Sequence, residues 1–507
     1  MRALLSGWIV LGHYCSFPPQ EGFFTLLLGR GYVAVQGFII LSGFITHYAY
    51  HDARYDAWPA VLRFYAKRFG AIVGSYYLFY VLTAAWRVCF DWDGVVAHAD
   101  SMLLSLVLCQ AWLTGVPGRV SVPGGDDNYP NVPAWTLSTL AFSWLLFPLL
   151  QSWLRAASGA TRLGWLPPLL LCLLLVLAPV PLRLLLHGKM GWGAYGCAYH
   201  WPPFRVPDFA FGMCVAEALV RTRWGEALGR RAPRLCGRLA DAIVPLFLLL
   251  VAVAHWPGED GAAALDAASL PLSRGGRGLS SPRPHVYEVC HTDVSHSLTD
   301  CRCVAPAGSW PNRAWSRVNF EPIWLTAAAP LFGLFLFASS CGDGGAFAGA
   351  LRHPALSSLG ELGFQVYLSH YLIMWAFLKL ETAAPSLDIL AGANASSALP
   401  PAPPPPPPPP ETADLAALFS LPPSGKGRFG HISYMMASLL CTYAVAGVVR
   451  SNVDEPLRLW LRRRLQASGP PEPAAWRGGG LPLLAKPGAA GAGGASDPAE
   501  PSEVGTS

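Results

Sequence analysis

Arg2 and His13 stand eleven positions apart in the apolar stretch that opens the chain. Imidazole is the side chain best suited to take a proton from a hydroxyl near neutral pH. A guanidinium stays charged and grips phosphate or carboxylate through two parallel hydrogen bonds. At 1.5 Å rise per residue the two lie about 16 Å apart along a helix axis, so they cannot touch. Either one lies near each end of the helix, or both line one channel. The plainer alternative for His13 is a hydrogen bond to a neighbouring helix.

Other side chains with chemical potential recur at intervals. Lys67 and Arg68 form a basic pair suited to anionic groups, or to anchoring at a charged surface. Trp135 and Thr136 head an apolar run, where the indole either stacks on a sugar or anchors at an interface. Arg205 opens another run and either lines a site or extends its charge outward. His370, three residues after Tyr367, sits at a depth where an unpaired imidazole is costly. It reads as a second site residue or as an interhelical hydrogen bond. Glu361 and Glu455 lie near helix ends, where capping or pairing with local arginines is the simpler account. Cys290, Cys301 and Cys303 cluster with His285, His291 and His296, but their spacing fits no standard zinc pattern. A loop disulfide is the expectation, with no metal site.

The elements that must carry these residues are apolar helices. Of 507 residues, 52% are hydrophobic and 13% charged. A soluble domain carries about twice that charged fraction, so lipid is the expected solvent. The small positive net charge of +5 gives no reason to expect nucleic acid. Apolar runs of spanning length fall near 3–16, 32–50, 70–86, 135–154, 165–186, 205–220, 240–255, 322–339, 361–380 and 430–450. The first run lacks a basic leader and a cleavage site and is short, so it reads as a clipped first span rather than a signal peptide. A run at 102–114 is too short to cross and reads as re-entrant or interfacial.

Placing both termini in the cytosol puts the arginine clusters at 54–68, 155–162, 221–238 and 450–464 on the cytosolic side, as the positive-inside rule requires. The expectation is an all-α polytopic membrane protein of about ten spans, in an endomembrane or the plasma membrane. Its membrane domain covers 1–465. A Cys- and His-containing insert at 256–321 and a Pro-rich insert at 381–429, with an Asn394-Ala395-Ser396 acceptor pattern, fall on the lumenal side. A cytosolic tail at 466–507, rich in Gly, Ala and Pro, is expected to be disordered.

Gly31 to Phe44 opens the second run and ends in Leu41-Ser42-Gly43-Phe44, whose small residues also permit close helix packing. Further blocks are Trp135-Thr136-Leu137-Ser138 before Phe147-Pro148, Pro203 to Phe209 with Gly212, Leu359-Gly360-Glu361 followed by Tyr367-Leu368-Ser369-His370, and Glu455-Pro456-Leu457-Arg458. With Arg2 and His13, these blocks in this order resemble the acyltransferase 3 family of integral membrane acyltransferases, over residues 2 to about 465.

The resemblance implies acyl transfer, with an acetyl group expected, from acyl-CoA to a hydroxyl of a sugar, glycan or lipid-linked acceptor. His13 and Arg2 would be catalytic, and Lys67 and Arg68 would hold the donor. Ser42, Trp135, Thr136, Arg205, Tyr367 and His370 would line the site. No bound cofactor is implied; acyl-CoA is a co-substrate, and the partners are membrane lipids, the donor and the acceptor. The chain departs from the pattern at Leu140, where the family has a glutamate, and at Ala71 and Gly74, where it has an arginine and a proline. The missing carboxylate leaves a second reading open: a transporter or translocase of a lipid or glycan on the same fold.

Overall fold

The computed structural model describes residues 1–14, 28, 31–112, 130–159, 164–177, 200–221, 228, 231–253, 328–341, 345–391 and 432–467. These form a helical unit within Met1–Gly469. The Cys- and His-containing insert, the Asn394 acceptor pattern and the tail beyond Ala467 lie outside the described residues, whereas Gln466 and Ala467, expected in the tail, end the last helix.

Among the described residues every regular element is a helix. They are α1 (Arg2–Tyr14), α2 (Gly31–Tyr50), α3 (Trp58–Gly70), α4 (Val73–Phe90), α5 (Trp92–Ala97), α6 (Ala99–Leu106), α7 (Trp135–Gly159) and α8 (Leu166–Leu177). There follow α9 (Pro202–Arg221), α10 (Pro233–Val253), α11 (Ala328–Ser340), α12 (Gly345–Leu351), α13 (Pro354–Ala391), α14 (Ile432–Val449) and α15 (Glu455–Ala467). A π-helical turn, Arg450–Asp454, joins the last two. Among the described residues, three stretches are long and apolar enough to cross a membrane: Val33–Tyr50, Val132–Gly159 and Ser433–Leu465. The count rises to five if each bent helix pair is one span. One such pair is α3 with α4, bent by 45°.

Several expected boundaries shift. Helix α13 begins seven residues before the expected 361 and runs to Ala391, into the segment expected to start an insert. Periodic apolarity marks only the stretch that reaches lipid depth, whereas backbone hydrogen bonding continues past it.

The core is set by small residues. A Cβ on Gly43 would collide with the Phe209 carbonyl oxygen, and one on Gly212 with the Ile40 carbonyl oxygen. Helices α2 and α9 therefore approach backbone to backbone, the packing that small residues allow where lipid already solvates apolar side chains. That seam encloses polar pairs: Gln36 Nε2 donates to Asp208 Oδ1 (2.9 Å), Arg205 pairs with Asp208 (3.1 Å), and His47 meets Glu217 (2.7 Å).

The short apolar run near 102–114 is not one helix. Helix α6 ends at Leu106 and the chain turns, with Leu108 at φ 59°. Carbonyls in and after its last turn receive side-chain donors. Tyr76 donates to Ser105 (2.5 Å), Tyr77 to Leu106 (2.5 Å) and Tyr80 to Met102 (3.1 Å). The Ser138 hydroxyl donates to the Leu108 carbonyl (2.7 Å) and accepts from the Ala111 amide (3.2 Å). Irregular backbone at depth needs partners of this kind, because lipid supplies none.

Candidate active site

Helix α1 packs against α13, and their contact brings together two histidines 357 positions apart. His13 Nδ1 lies 3.0 Å from His370 Nε2. The rings stack at 5.1 Å between centroids and 21° between planes, and Tyr371 meets both edge-on. His370 is fully buried, while His13 is half-buried.

The hydrogen-bond pattern assigns the protons. His370 Nδ1 lies 2.8 Å from the Tyr367 carbonyl oxygen, which only accepts, so Nδ1 carries a hydrogen. In the neutral ring Nε2 then accepts, and His13 Nδ1 must donate to it. The basic lone pair of neutral His13 is thereby placed on Nε2. The helix backbone, through His370, selects the tautomer of a candidate base.

A clamp from the start of α7 fixes this stretch of α13. Tyr367 donates its hydroxyl proton to the Pro133 carbonyl (2.8 Å), so it accepts from the Thr136 hydroxyl (2.7 Å). Both hydroxyl protons are engaged inside the protein, which makes Thr136 and Tyr367 orienting groups in this arrangement. Asn131 Nδ2 adds a donation to the Leu368 carbonyl (3.1 Å). Trp135, buried beside them, meets His200 edge-on at 4.5 Å. From the other flank Tyr14, the residue after His13, lies 2.9 Å from the Thr442 hydroxyl and receives the Ser438 hydroxyl (3.1 Å).

The remaining expected residues lie elsewhere. Arg205 is buried in the α2–α9 seam with Asp208, a pairing that argues for a structural charge there. Ser42 is half-buried on α2, beside the Gly43 contact, and no described contact joins it to His13. Arg2 lies at the far end of α1, with its Cβ against Gly360 of α13 and its charge within reach of Arg68, Arg458 and Glu361. The Arg68 guanidinium sits over the Tyr50 ring at 4.8 Å, and Lys67 is half-buried one position earlier. Glu361 and Glu455 both pair with Arg450, as the local-pairing reading holds.

The two departures in the basic segment acquire a setting. The Ala71 carbonyl receives Arg458 Nη2 at 3.0 Å. A Cβ on Gly74 would press on Asp454, Val453 and Leu457. Asp454, buried, accepts from the Ser75 amide (3.0 Å), the Ser75 hydroxyl (2.5 Å) and Gln365 Nε2. It thus caps the start of α4 and ties it to α13. Leu140 is half-buried on α7, where no carboxylate is offered.

An imidazole pair at the contact of two apolar helices, held by a Trp-Thr-Leu-Ser clamp, matches the resemblance seen in the sequence. A family model described as an acyltransferase domain matches residues 1–396. The chain belongs to the acyltransferase 3 family. It is 25% identical over 254 residues to acyltransferase MdmB of Streptomyces mycarofaciens, covering 44% of this chain and 60% of that relative. The chain thus spans less than two thirds of that relative's length. No solved structure matches it. With its apolar helices, family membership makes this an all-α membrane protein.

Sequence reasoning placed His13 and His370 without linking them, held Asp208 only as a member of the Pro203 to Phe209 block with no role, and missed Asn131 and Asp454. No periodicity announces such residues, because each acts on an element distant in sequence.

Proposed function

We propose that the protein is a membrane-embedded acyltransferase that moves an acyl group, with acetyl the favoured case, from acyl-CoA to a hydroxyl of a sugar, glycan or lipid-linked acceptor. The observation that supports this reading is the His13–His370–Tyr367 carbonyl chain, which leaves His13 Nε2 as the lone pair for a proton acceptor in the neutral pair. Acyl transfer from a thioester needs the acceptor hydroxyl made nucleophilic as it attacks, and an imidazole so oriented supplies that base. The hydroxyl oxygen bonds to the thioester carbonyl carbon as His13 takes its proton. Collapse of the tetrahedral intermediate releases the thiolate, which receives the proton, so no net charge is left behind.

Arg2, some 16 Å from the histidine along α1, and Arg68, within electrostatic reach of Arg2, suit the phosphates of the donor carrier rather than its reacting carbon. In this reading about ten spans cross the membrane with both termini cytosolic. The arginines then face the compartment that holds acyl-CoA, and His13 lies toward the opposite side.

The test is turnover of the purified chain in lipid nanodiscs. Acetyl-CoA supplied with a pool of glycans and lipid-linked sugars should give free CoA and an acylated product identified by mass spectrometry. The His13→Ala variant should lose about 10²- to 10⁴-fold of that rate, the usual contribution of a general base. Undiminished turnover in His13→Ala would remove the role assigned to it. Movement of a labelled glycan across vesicles without any acyl-CoA would favour the translocase reading instead.

A further inference from the structure

Three guanidiniums from three separate parts of the chain meet at the end of the molecule away from His13. Arg2 comes from the start of α1, Arg68 from the end of α3 and Arg458 from α15. Arg2 lies within electrostatic reach of both of the others. The gathering is built by backbone contacts rather than by flexible reach. Arg458 Nη2 is anchored on the Ala71 carbonyl at 3.0 Å. Gly70 abuts Leu461 of the same C-terminal helix, and Gly360 of α13 abuts Arg2 Cβ. Arg68 is held flat over Tyr50 (4.8 Å) with Phe64 behind it (5.8 Å).

Like charges brought together this way repel, and water screens Arg2, at the exposed end of α1, better than the partly buried Arg68 and Arg458. Glu361 is the carboxylate within reach of Arg2, and it is engaged by Arg450. Arg68 Nε and Arg458 Nε are buried and make no hydrogen bond among the described residues. A buried donor left without an acceptor costs about 1–3 kcal/mol, more when charged. Guanidinium forks pair with phosphate oxygens two at a time, so a ligand with several phosphates would satisfy all three groups together.

We infer that Arg458 of the C-terminal helix completes, with Arg2 and Arg68, a binding site for the phosphates of an organic polyphosphate. On the reading above, which this inference rests on, that ligand is the CoA portion of the donor. The C-terminal helix is then part of the donor site, with Asp454 fixing its start against Ser75 and Gln365.

The experiment is calorimetric titration of the full chain in nanodiscs of neutral lipid with CoA and, separately, with inorganic pyrophosphate. Both should bind the unaltered protein, and Arg458→Gln should weaken both by about 10- to 100-fold, the range for losing a charged hydrogen bond. Arg463→Gln, an exposed cation on the same helix, should leave binding unchanged. Arg458→Lys, which keeps the charge, should bind better than Arg458→Gln. Ala71→Arg placed on the Arg458→Gln background should recover part of the affinity, because it returns a guanidinium to the carbonyl that Arg458 occupies.

Folded Arg458→Gln protein that binds both probes as tightly as the unaltered chain overturns the inference. Failure of the unaltered chain to bind either probe does so too. Pyrophosphate binding that depends on Arg458, is displaced by vesicles of a phosphoinositide and is not accompanied by CoA binding supports the site. That result makes its ligand a lipid phosphate and removes the donor part of the proposed function. Acyl transfer without Arg458-dependent binding leaves that function standing and overturns this site.

Discussion

Replacing His370 with alanine separates the base from the group that orients it. In the intact site His370 receives the His13 Nδ1 proton at 3.0 Å and is itself fixed by the Tyr367 carbonyl at 2.8 Å. Removing the ring takes away both hydrogen bonds; the one that bears on the base is the bond to His13, whose loss in a buried setting has a net cost of about 1–3 kcal/mol. If that energy is lost from the transition state alone, the rate falls by about 5- to 150-fold. The base itself remains, so the loss should stay smaller than the about 10²- to 10⁴-fold expected on removing His13.

The assay is initial-rate release of CoA thiol from acetyl-CoA at saturating acceptor, with kcat and KM measured separately. His370→Ala should act on kcat and leave the KM for acetyl-CoA within a factor of about two, since it touches neither substrate phosphate nor the arginine cluster. Tyr367→Phe is the control. It removes a hydroxyl but keeps the carbonyl that holds His370, so its effect on kcat should be the smaller of the two. A His370→Ala enzyme with unchanged kcat refutes the tautomer argument. So does one as impaired as His13→Ala, because the base would then not be His13 alone.

Two further outcomes test the scaffold. Gly43→Ala and Gly212→Ala each force a methyl group against a carbonyl oxygen of the opposing helix. Each should lower stability by about 1–3 kcal/mol, read as earlier thermal unfolding in detergent, with activity per folded molecule reduced less than the folded fraction. Arg205→Leu takes the guanidinium away from the buried Asp208 carboxylate, which also receives Gln36 Nε2. It should cost about 3–5 kcal/mol, and the paired change Arg205→Leu with Asp208→Leu should recover much of the loss; a double variant no better than the single would show that the pair is not the source.

Much of this protein was legible in the residues alone. Apolar runs with few charges oblige helices in lipid, because only a helix satisfies its own backbone there. The order from Arg2 through His13, Trp135-Thr136 and Tyr367 to His370 was enough to suggest the family. Glycine at 43 forecast a close approach without saying to what. The partners themselves came from tertiary structure. That His13 meets His370, that Thr136 donates to Tyr367 and Tyr367 to Pro133, and that Gln36 reaches Asp208 all depend on elements meeting across long stretches of chain. Ala71 and Gly74 looked in sequence like losses. In the folded chain they are where the C-terminal helix docks, setting Arg458 on one and Asp454 against the other. A linear pattern specifies which residues are costly to bury, whereas the partner that makes burial tolerable is chosen only when the helices pack.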